Sequence, residues 1–160
     1  AVSLTDDAFA AELLGIQSRL DKAVAPQTAP SCRAQFCDAA CGLSRERFRH
    51  LTTISHVQGD VISVNGGGPF ALGQFAYGSA RWLTGPNAGL EFSIVDNGTA
   101  TMELQTMPQA PVHAGDKIQV IEGCDKLMTT CATRFGNGIN FRGEPYLPGN
   151  DLLTRYPGAN

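Results

Sequence analysis

The sequence has no long apolar run and no excess of positive charge. No stretch approaches the roughly 18 to 20 apolar residues of a membrane-spanning helix, and the opening AVSLTDDAFA lacks the basic and then apolar layout of a signal peptide. The formal net charge is −3, so there is no general attraction to nucleic acid. These absences predict a soluble, non-secreted protein without a membrane span or direct nucleic-acid binding. Because residue 1 is not Met, we expect it to be part of a longer chain.

The first 25 residues have a helical period. Thr5 or Asp6 can cap a helix, and four apolar residues follow at spacings of four, three and four: Phe9, Leu13, Ile16 and Leu20. This pattern predicts an amphipathic helix within residues 1–25. The Pro-containing segment APQTAP then begins a linker, so that residues 26–47 are expected to hold this linker and the first cysteines.

Residues 48–122 have short β-branched or aromatic runs between turn signals. Six runs predict six strands, in FRHLTTISHVQG, VISVNGGG, FAYGSARWLTG, GLEFSIVDNG, ATMELQTMP and DKIQVIEG. Asn97-Gly98 predicts a tight hairpin with positive φ at both residues. We therefore expect a mainly β fold, a small antiparallel barrel or sandwich. In residues 123–160, DKLMTTCATRF predicts a short helix, and the Gly-, Asn- and Pro-rich remainder predicts an irregular tail over the surface.

The five cysteines fall into two groups on either side of this β-rich module. Three have the spacing C-x4-C-x3-C and two the spacing C-x6-C: Cys32, Cys37 and Cys41, then Cys124 and Cys131. Structural zinc sites usually take thiolates two to four residues apart in tight knuckles, whereas iron–sulfur ligands can come from separate loops. Spacing alone leaves four states open: an iron–sulfur cluster, zinc, disulfides and unligated core thiols. The first and last strands of the module can bring both groups together.

Residues beside the cysteines suit a site for thiolates. Arg33, Lys126 and Arg134 can offset negative charge, and Gly42 and Gly123 permit close approach of the backbone to sulfur. Solvated side chains are the simpler interpretation of these cations.

An enzyme with a nucleophilic cysteine is the competing hypothesis. It would need a histidine base, and the candidates His50, His56 and His113 have no catalytic signature around them. The NGGGPF segment lacks the Lys-Ser/Thr of a phosphate-binding loop, so it indicates a turn. We predict no catalytic residues, and a small-molecule iron–sulfur or thiol enzyme remains the alternative function.

Three segments together resemble a known family: SCRAQFCDAACGL, LTGPNAGLEF and AGDKIQVIEGCDKLMTTCATRFGNGINFRGEPYLPGND. They are similar to the C-terminal part of tail hub proteins of siphophage-like particles, found in alphaproteobacterial prophages and gene transfer agents and related to the minor tail protein L of phage lambda. The resemblance implies a non-enzymatic structural protein of the virion tail tip, assembled in the bacterial cytoplasm. It also implies a homotrimeric ring that contacts distal tail and central tip or fibre proteins and takes part in tail assembly and DNA delivery.

The resemblance further implies a 4Fe-4S cluster, with zinc as the alternative cofactor. By position, its ligands are Cys32, Cys41, Cys124 and Cys131. Cys37 stands where the family more often has a small residue such as Gly, and it is kept as a substitute ligand. Glu144 replaces an aromatic residue expected in this family.

Overall fold

The computed structural model describes residues 2–5, 8–11, 28–66 and 69–146. The elements within these ranges are mostly strands, with one short α-helix. In chain order they are β1 (Val2–Thr5), β2 (Ala8–Ala11), β3 (Arg49–Gln58), β4 (Val61–Asn65), β5 (Ser79–Trp82), β6 (Glu91–Asn97), β7 (Thr101–Leu104), β8 (Lys117–Ile121) and α1 (Met128–Thr133). Two 3₁₀ turns, Arg45–Phe48 and Gly138–Asn140, flank the strands and the helix.

Strands β3 to β8 form a closed antiparallel barrel. The order around it is β3-β4-β7-β6-β5-β8, and β8 pairs with β3 to close the ring. The six strands lie in the six runs that the sequence marks, so the predicted mainly β fold is confirmed. Of the two expected architectures, a small antiparallel barrel or a sandwich, the structure has the barrel. Within the described residues, no helix is long and apolar enough to cross a membrane.

Alternation of side chains along the strands fills the barrel. On β4, Ile62 and Val64 point inward and are buried, while their neighbours are more exposed. The core consists of twelve buried residues from the strands and from the segment before β5: Ile54, Ile62, Val64, Phe70, Phe75, Ala80, Trp82, Ile94, Met102, Leu104, Ile118 and Val120. The inward-facing side chains of the six strands thus form one apolar core inside the barrel.

The hairpin between β6 and β7 is confirmed, but its turn differs from the prediction. Neither Asn97 nor Gly98 has a positive φ. Asn97 is the last residue of β6, and its side chain is buried. Its Oδ1 accepts the Phe75 N–H at 2.6 Å, and its Nδ2 donates to Ala71 O at 2.9 Å. The Asn-Gly pair predicts a turn, whereas in the structure the Asn97 side chain joins the hairpin to the segment before β5.

The predicted N-terminal helix is not supported. Its first turn falls on β2, and β1 pairs with β2 in a two-stranded antiparallel sheet that aligns Thr5 with Ala8. The physical reason is the period of two in Val2-Ser3-Leu4-Thr5, which suits a strand better than a helix. Residues 12–27, with Leu13, Ile16 and Leu20, lie outside the described residues.

The barrel brings its first and last strands side by side. Arg49 on β3 pairs with Ile121 on β8, so the chain enters and leaves the barrel at one end. The segment before β3 and the segment after β8 therefore meet there. We call these two segments, residues 28–44 and 123–146, the cysteine segments.

Candidate functional site

Four of the five cysteines line a single cavity between the cysteine segments. They are the four expected ligands: Cys32, Cys41, Cys124 and Cys131. The wall also contains apolar side chains, namely Ala34, Phe36, Leu43, Phe135 and Phe141. The prediction that the barrel brings the two cysteine groups together is confirmed. All five cysteines are free thiols, so the structure has none of the disulfides that spacing alone left open.

Backbone hydrogen bonds hold the two cysteine segments against each other. The Cys32 N–H donates to Lys126 O at 2.9 Å, and the Arg33 N–H donates to Arg142 O at 3.1 Å. Further along, the Glu144 N–H donates to Ala29 O at 2.8 Å. These bonds set the position of Cys32 relative to Cys124 and Cys131.

Local structure places the second pair of cysteines. Asp125 fixes the start of α1, because its carboxylate accepts the Leu127 N–H at 2.9 Å and the Thr130 hydroxyl at 2.7 Å. Cys131 lies on α1 and is buried. Lys126 has a φ of 65°, a left-handed conformation that is uncommon outside glycine. Its ammonium donates to Ala34 O at 2.6 Å and so contacts the other cysteine segment.

Polar hydrogens lie close to two of the sulfurs. The Arg142 N–H donates to Cys32 Sγ at 3.4 Å, and the Asn137 side-chain amide lies 3.7 Å from Cys41 Sγ. Such N–H···S contacts stabilise thiolate ligands and set the potential of iron–sulfur clusters. The surroundings of Cys32 and Cys41 therefore suit sulfur that carries negative charge.

Burial disfavours the charged form of Cys124 and Cys131 in the cavity. Burial raises the pKa of Cys131, and the neighbouring Cys124, Cys32 and Cys41 raise it further. Burial also raises the pKa of Cys124, against the opposing effect of the Lys126 N–H and ammonium. A metal or cluster would bind the deprotonated thiols, so its binding would release protons.

Cys37 differs from the other four. It does not line the cavity, and its φ of 63° places it in the left-handed region. Burial, followed by the charge of Cys41, raises the pKa of Cys37 to about 11. A thiol this weakly acidic is a poor nucleophile at neutral pH. Its backbone conformation explains why a small residue such as glycine is expected at this position.

Three phenylalanines form a small apolar cluster beside the cavity. Phe36 lies 5.2 Å from Phe48 and 4.9 Å from Phe135 between ring centroids, and Phe48 lies 5.4 Å from Phe135. These distances are typical of favourable tilted and edge-to-face ring contacts. The cluster joins both cysteine segments to the 3₁₀ turn that leads into β3.

Glu122 connects the barrel to the second cysteine segment. Its carboxylate contacts His50 Nε2 at 2.9 Å and accepts bonds from Gln74 Nε2 at 2.8 Å and Arg134 Nη2 at 2.6 Å. Burial raises the pKa of Glu122, but the three hydrogen bonds outweigh it and the net shift is downward. His50 thus has a structural contact, and no histidine lines the cavity among the described residues.

The expected roles of the cations and glycines hold only in part. Lys126 lines the cavity, whereas Arg33 forms an ion pair with Glu144 at 2.6 Å and Arg134 pairs with Glu122. Gly123 does permit a close backbone approach, but to the Ala76 carbonyl, which an added Cβ would overlap.

Sequence reasoning missed three of the residues that hold the site together. Asn137, Glu122 and Glu144 each join parts of the chain far apart in sequence, and no motif marks such contacts. Glu144 looked like a departure from the family's packing, yet its carboxylate takes two bonds from Arg33 and one from the Ala29 N–H.

The four cavity thiols differ in how they suit the two cofactors that the sequence suggests. Within the described ranges, no group of three or more His, Cys, Asp or Glu side chains could hold a single metal ion. A zinc site would require that convergence, because four thiolates must each lie about 2.3 Å from one ion. A four-iron cluster binds one thiolate at each iron, so the number of thiols around the cavity matches its needs.

Comparison with known proteins gives two family matches, one before the barrel and one that begins between β4 and β5 and includes the other four strands. Residues 1–44 match the model of a baseplate hub protein, N-terminal attachment domain. Residues 73–151 match the family described as phage conserved hypothetical protein BR0599. No curated protein matches the chain significantly.

A solved structure of a similar protein covers the whole chain. A chain of the virion of a native gene transfer agent (GTA) particle is 31% identical, with a TM-score of 0.78 over 100% of this chain and 59% of that chain. The present chain thus spans less than two thirds of that virion protein. These matches confirm the prediction of a structural component of a phage-like particle and not an enzyme. The component belongs to the particle's tail and is hub-like, as the sequence predicts. The relation to protein L of phage lambda stays an expectation.

Proposed function

We propose that this chain is the cluster-bearing part of a tail hub or tip protein that takes part in tail assembly and DNA delivery. In this proposal Cys32, Cys41, Cys124 and Cys131 hold a 4Fe-4S cluster, and Cys37 is not a ligand. The single observation that carries the proposal is the cavity lined by four cysteines from both sides of the barrel. The matches to a baseplate hub domain and to a gene transfer agent virion support its location.

The role of the cluster is structural. When bound, the cluster would offer one iron atom to the thiolate of each of the four cysteines, two before the barrel and two after it. Such bonds tie the two cysteine segments together at the end of the barrel. The N–H groups near Cys32 and Cys41 stabilise the thiolate charge there.

The partners follow from the same proposal. The chain assembles with copies of itself, as a homotrimer, and with distal tail and central tip or fibre proteins. The matched attachment domain over residues 1–44, which includes the first cysteine segment, supports an assembly role for this part of the chain.

Metal analysis of the purified chain tests the cluster. The protein is purified without oxygen from wild type, Cys124→Ala and Cys37→Ala, and absorption near 400 nm, iron, sulfide and zinc are measured. We expect about four iron and four sulfide per wild-type chain, loss of both in Cys124→Ala, and wild-type values in Cys37→Ala. One zinc per chain, or equal loss in both variants, would contradict the proposal.

A particle assay tests the tail role separately. In cells that produce the particle, the same two substitutions are introduced and tailed particles are counted by electron microscopy. We expect fewer complete tails with Cys124→Ala and normal tails with Cys37→Ala. Normal tails and normal DNA delivery with Cys124→Ala would show that the cysteine site is dispensable for assembly.

A further inference from the structure

We propose that Asn137 is a positioning residue of the cysteine site, whose side-chain amide holds Cys41 in place as a ligand and sets the charge that its sulfur can carry. This inference rests on the proposed cluster. It concerns a residue outside the four thiols, and no sequence motif singles it out.

Asn137 contacts cysteines from both segments. Its Nδ2 donates to Cys41 O at 2.8 Å and lies 3.7 Å from Cys41 Sγ, although the two residues are 96 positions apart. Its backbone N–H donates to Cys131 O at 2.9 Å, and its backbone oxygen accepts the Cys131 thiol at 3.4 Å. Asn137 therefore connects a cysteine before the barrel with one after it.

The orientation of this amide is fixed from the other side. Asn137 is only 6% exposed, and its Oδ1 accepts the Asn140 amide at 2.8 Å. With the oxygen engaged there, the NH₂ group must face Cys41. The side chain is thus buried and oriented with its donor toward a sulfur.

Cluster binding would affect the two cysteines differently. A ligated Cys131 has no thiol hydrogen, so its contact with the Asn137 oxygen is lost, whereas a ligated Cys41 stays an acceptor and its N–H···S contact strengthens with charge. The amide is therefore most useful in the ligated state. Loss of a hydrogen bond to sulfur, or added negative charge, lowers the reduction potential of a cluster.

The test compares two buried asparagines with the same kind of bonds. Asn137→Asp keeps the shape and the acceptor for Asn140 but replaces the donor with a negative charge. Asn97→Asp is the matched control, because Asn97 is 5% exposed and its Nδ2 donates to Ala71 O and Gly98 O in the barrel. We expect less iron and a lower reduction potential in Asn137→Asp, and a lower melting temperature with the wild-type potential in Asn97→Asp. Wild-type iron content and potential in Asn137→Asp would overturn the inference.

A second readout works on the metal-free chain and separates the two proposals. Alkylation by iodoacetamide is followed at each cysteine by peptide mass spectrometry in wild type and Asn137→Ala. We expect slower alkylation of Cys41 in the variant, because the amide that favours its thiolate is removed. The rates at Cys131, which contacts only backbone atoms of residue 137, and at Cys37 should not change. Equal rates at Cys41 would overturn the role of Asn137. A wild-type chain without iron or sulfide would instead overturn the proposed cluster.

Discussion

The barrel and the cysteine segments are held together by different forces. The barrel encloses twelve buried core residues, several of them fully inaccessible, such as Trp82 and Phe75. In the cysteine segments only Ala34 and Cys131 are buried among the apolar residues. Because the hydrophobic effect scales with apolar area removed from water, the barrel has far more stabilisation of its own.

The cysteine segments rely on a few specific contacts. Three kinds of contact join residues that are far apart in sequence. They are backbone hydrogen bonds such as Cys32 N–H to Lys126 O, the three-phenylalanine cluster, and the bonds to the Glu122 and Glu144 carboxylates. A region with so little core usually needs a staple, such as a disulfide or a metal. The contrast between the two regions explains why a cofactor would be placed at the end of the barrel and not inside it.

The largest effect is expected from Trp82→Ala. Trp82 is fully buried in the barrel, and truncation of a buried tryptophan costs about 3 to 5 kcal/mol. The cysteine segments should unfold with the barrel, because one leads into β3 and the other follows β8, and only the paired strands hold them side by side. Chemical denaturation followed by circular dichroism measures the loss, with the exposed Leu90→Ala as control. A loss under about 1 kcal/mol would mean that the barrel core is not the main source of stability.

Glu122→Gln should have the next largest effect, because it acts at the junction of the two regions. Glu122 is only 11% exposed and has three partners, so losing the charge is expected to cost about 1 to 3 kcal/mol. Since the folded state lowers the pKa of Glu122, its contribution is complete above the ordinary carboxyl pKa and is lost as the pH falls through the lower folded value.

Denaturation of wild type and Glu122→Gln at several pH values checks this. The difference in the free energy of unfolding should be largest near pH 7 and should shrink in acid. The exposed Glu103→Gln is the control. A difference that does not change between pH 7 and pH 3 would indicate that the charge of Glu122 is not what joins the regions.

The sequence predicts the barrel far better than the cysteine segments. Each strand shows its own alternation, as in Ile62-Ser63-Val64, and local patterns are visible in one sequence. The helix predicted from Phe9, Leu13, Ile16 and Leu20 failed at its start because a short apolar spacing fits a strand as well. Asn97 likewise fits a turn and a buried bridging role equally well in the sequence.

At the candidate site, the sequence gives the cysteines but not what positions them. The resemblance identifies four thiols, and these four line the cavity. The bonds of Asn137 to Cys41 and of Glu144 to Arg33 join residues about a hundred positions apart. Only the closure of the barrel between β3 and β8 makes such pairs neighbours, and spacing along the chain does not reveal them.

Cys37→Gly should have a smaller effect that is confined to the first cysteine segment. A left-handed conformation costs a non-glycine residue about 1 to 2 kcal/mol. Glycine avoids this cost, but it destabilises the folded state by about 0.5 to 1 kcal/mol because its unfolded chain has more conformational entropy. We therefore expect a gain of at most about 1.5 kcal/mol in the free energy of unfolding. Cys37→Ala, which keeps a Cβ at the φ of 63°, should show no gain. Equal stabilities of the two variants would mean that the backbone at residue 37 is not strained.

The smallest effect on global stability is expected from Glu144→Gln, because the Arg33–Glu144 pair is about one third exposed. Its local effect should still be clear. Hydrogen bonds from Arg33 and from the Ala29 N–H lower the pKa of Glu144 from 4.5 to about 2, so the pair contributes above pH 4.5 and is lost as the pH falls toward 2.

The Ala29 amide reports this ion pair directly, since it donates to Glu144 Oε2 at 2.9 Å. In a pH titration by NMR, its proton shift should change with a midpoint near 2 in wild type and show no such step in Glu144→Gln. A midpoint near 4.5 would mean that Arg33 does not hold the carboxylate in solution. The first cysteine segment would then depend even more on the thiols, because the charged contact between residues 28–33 and 142–144 would contribute nothing.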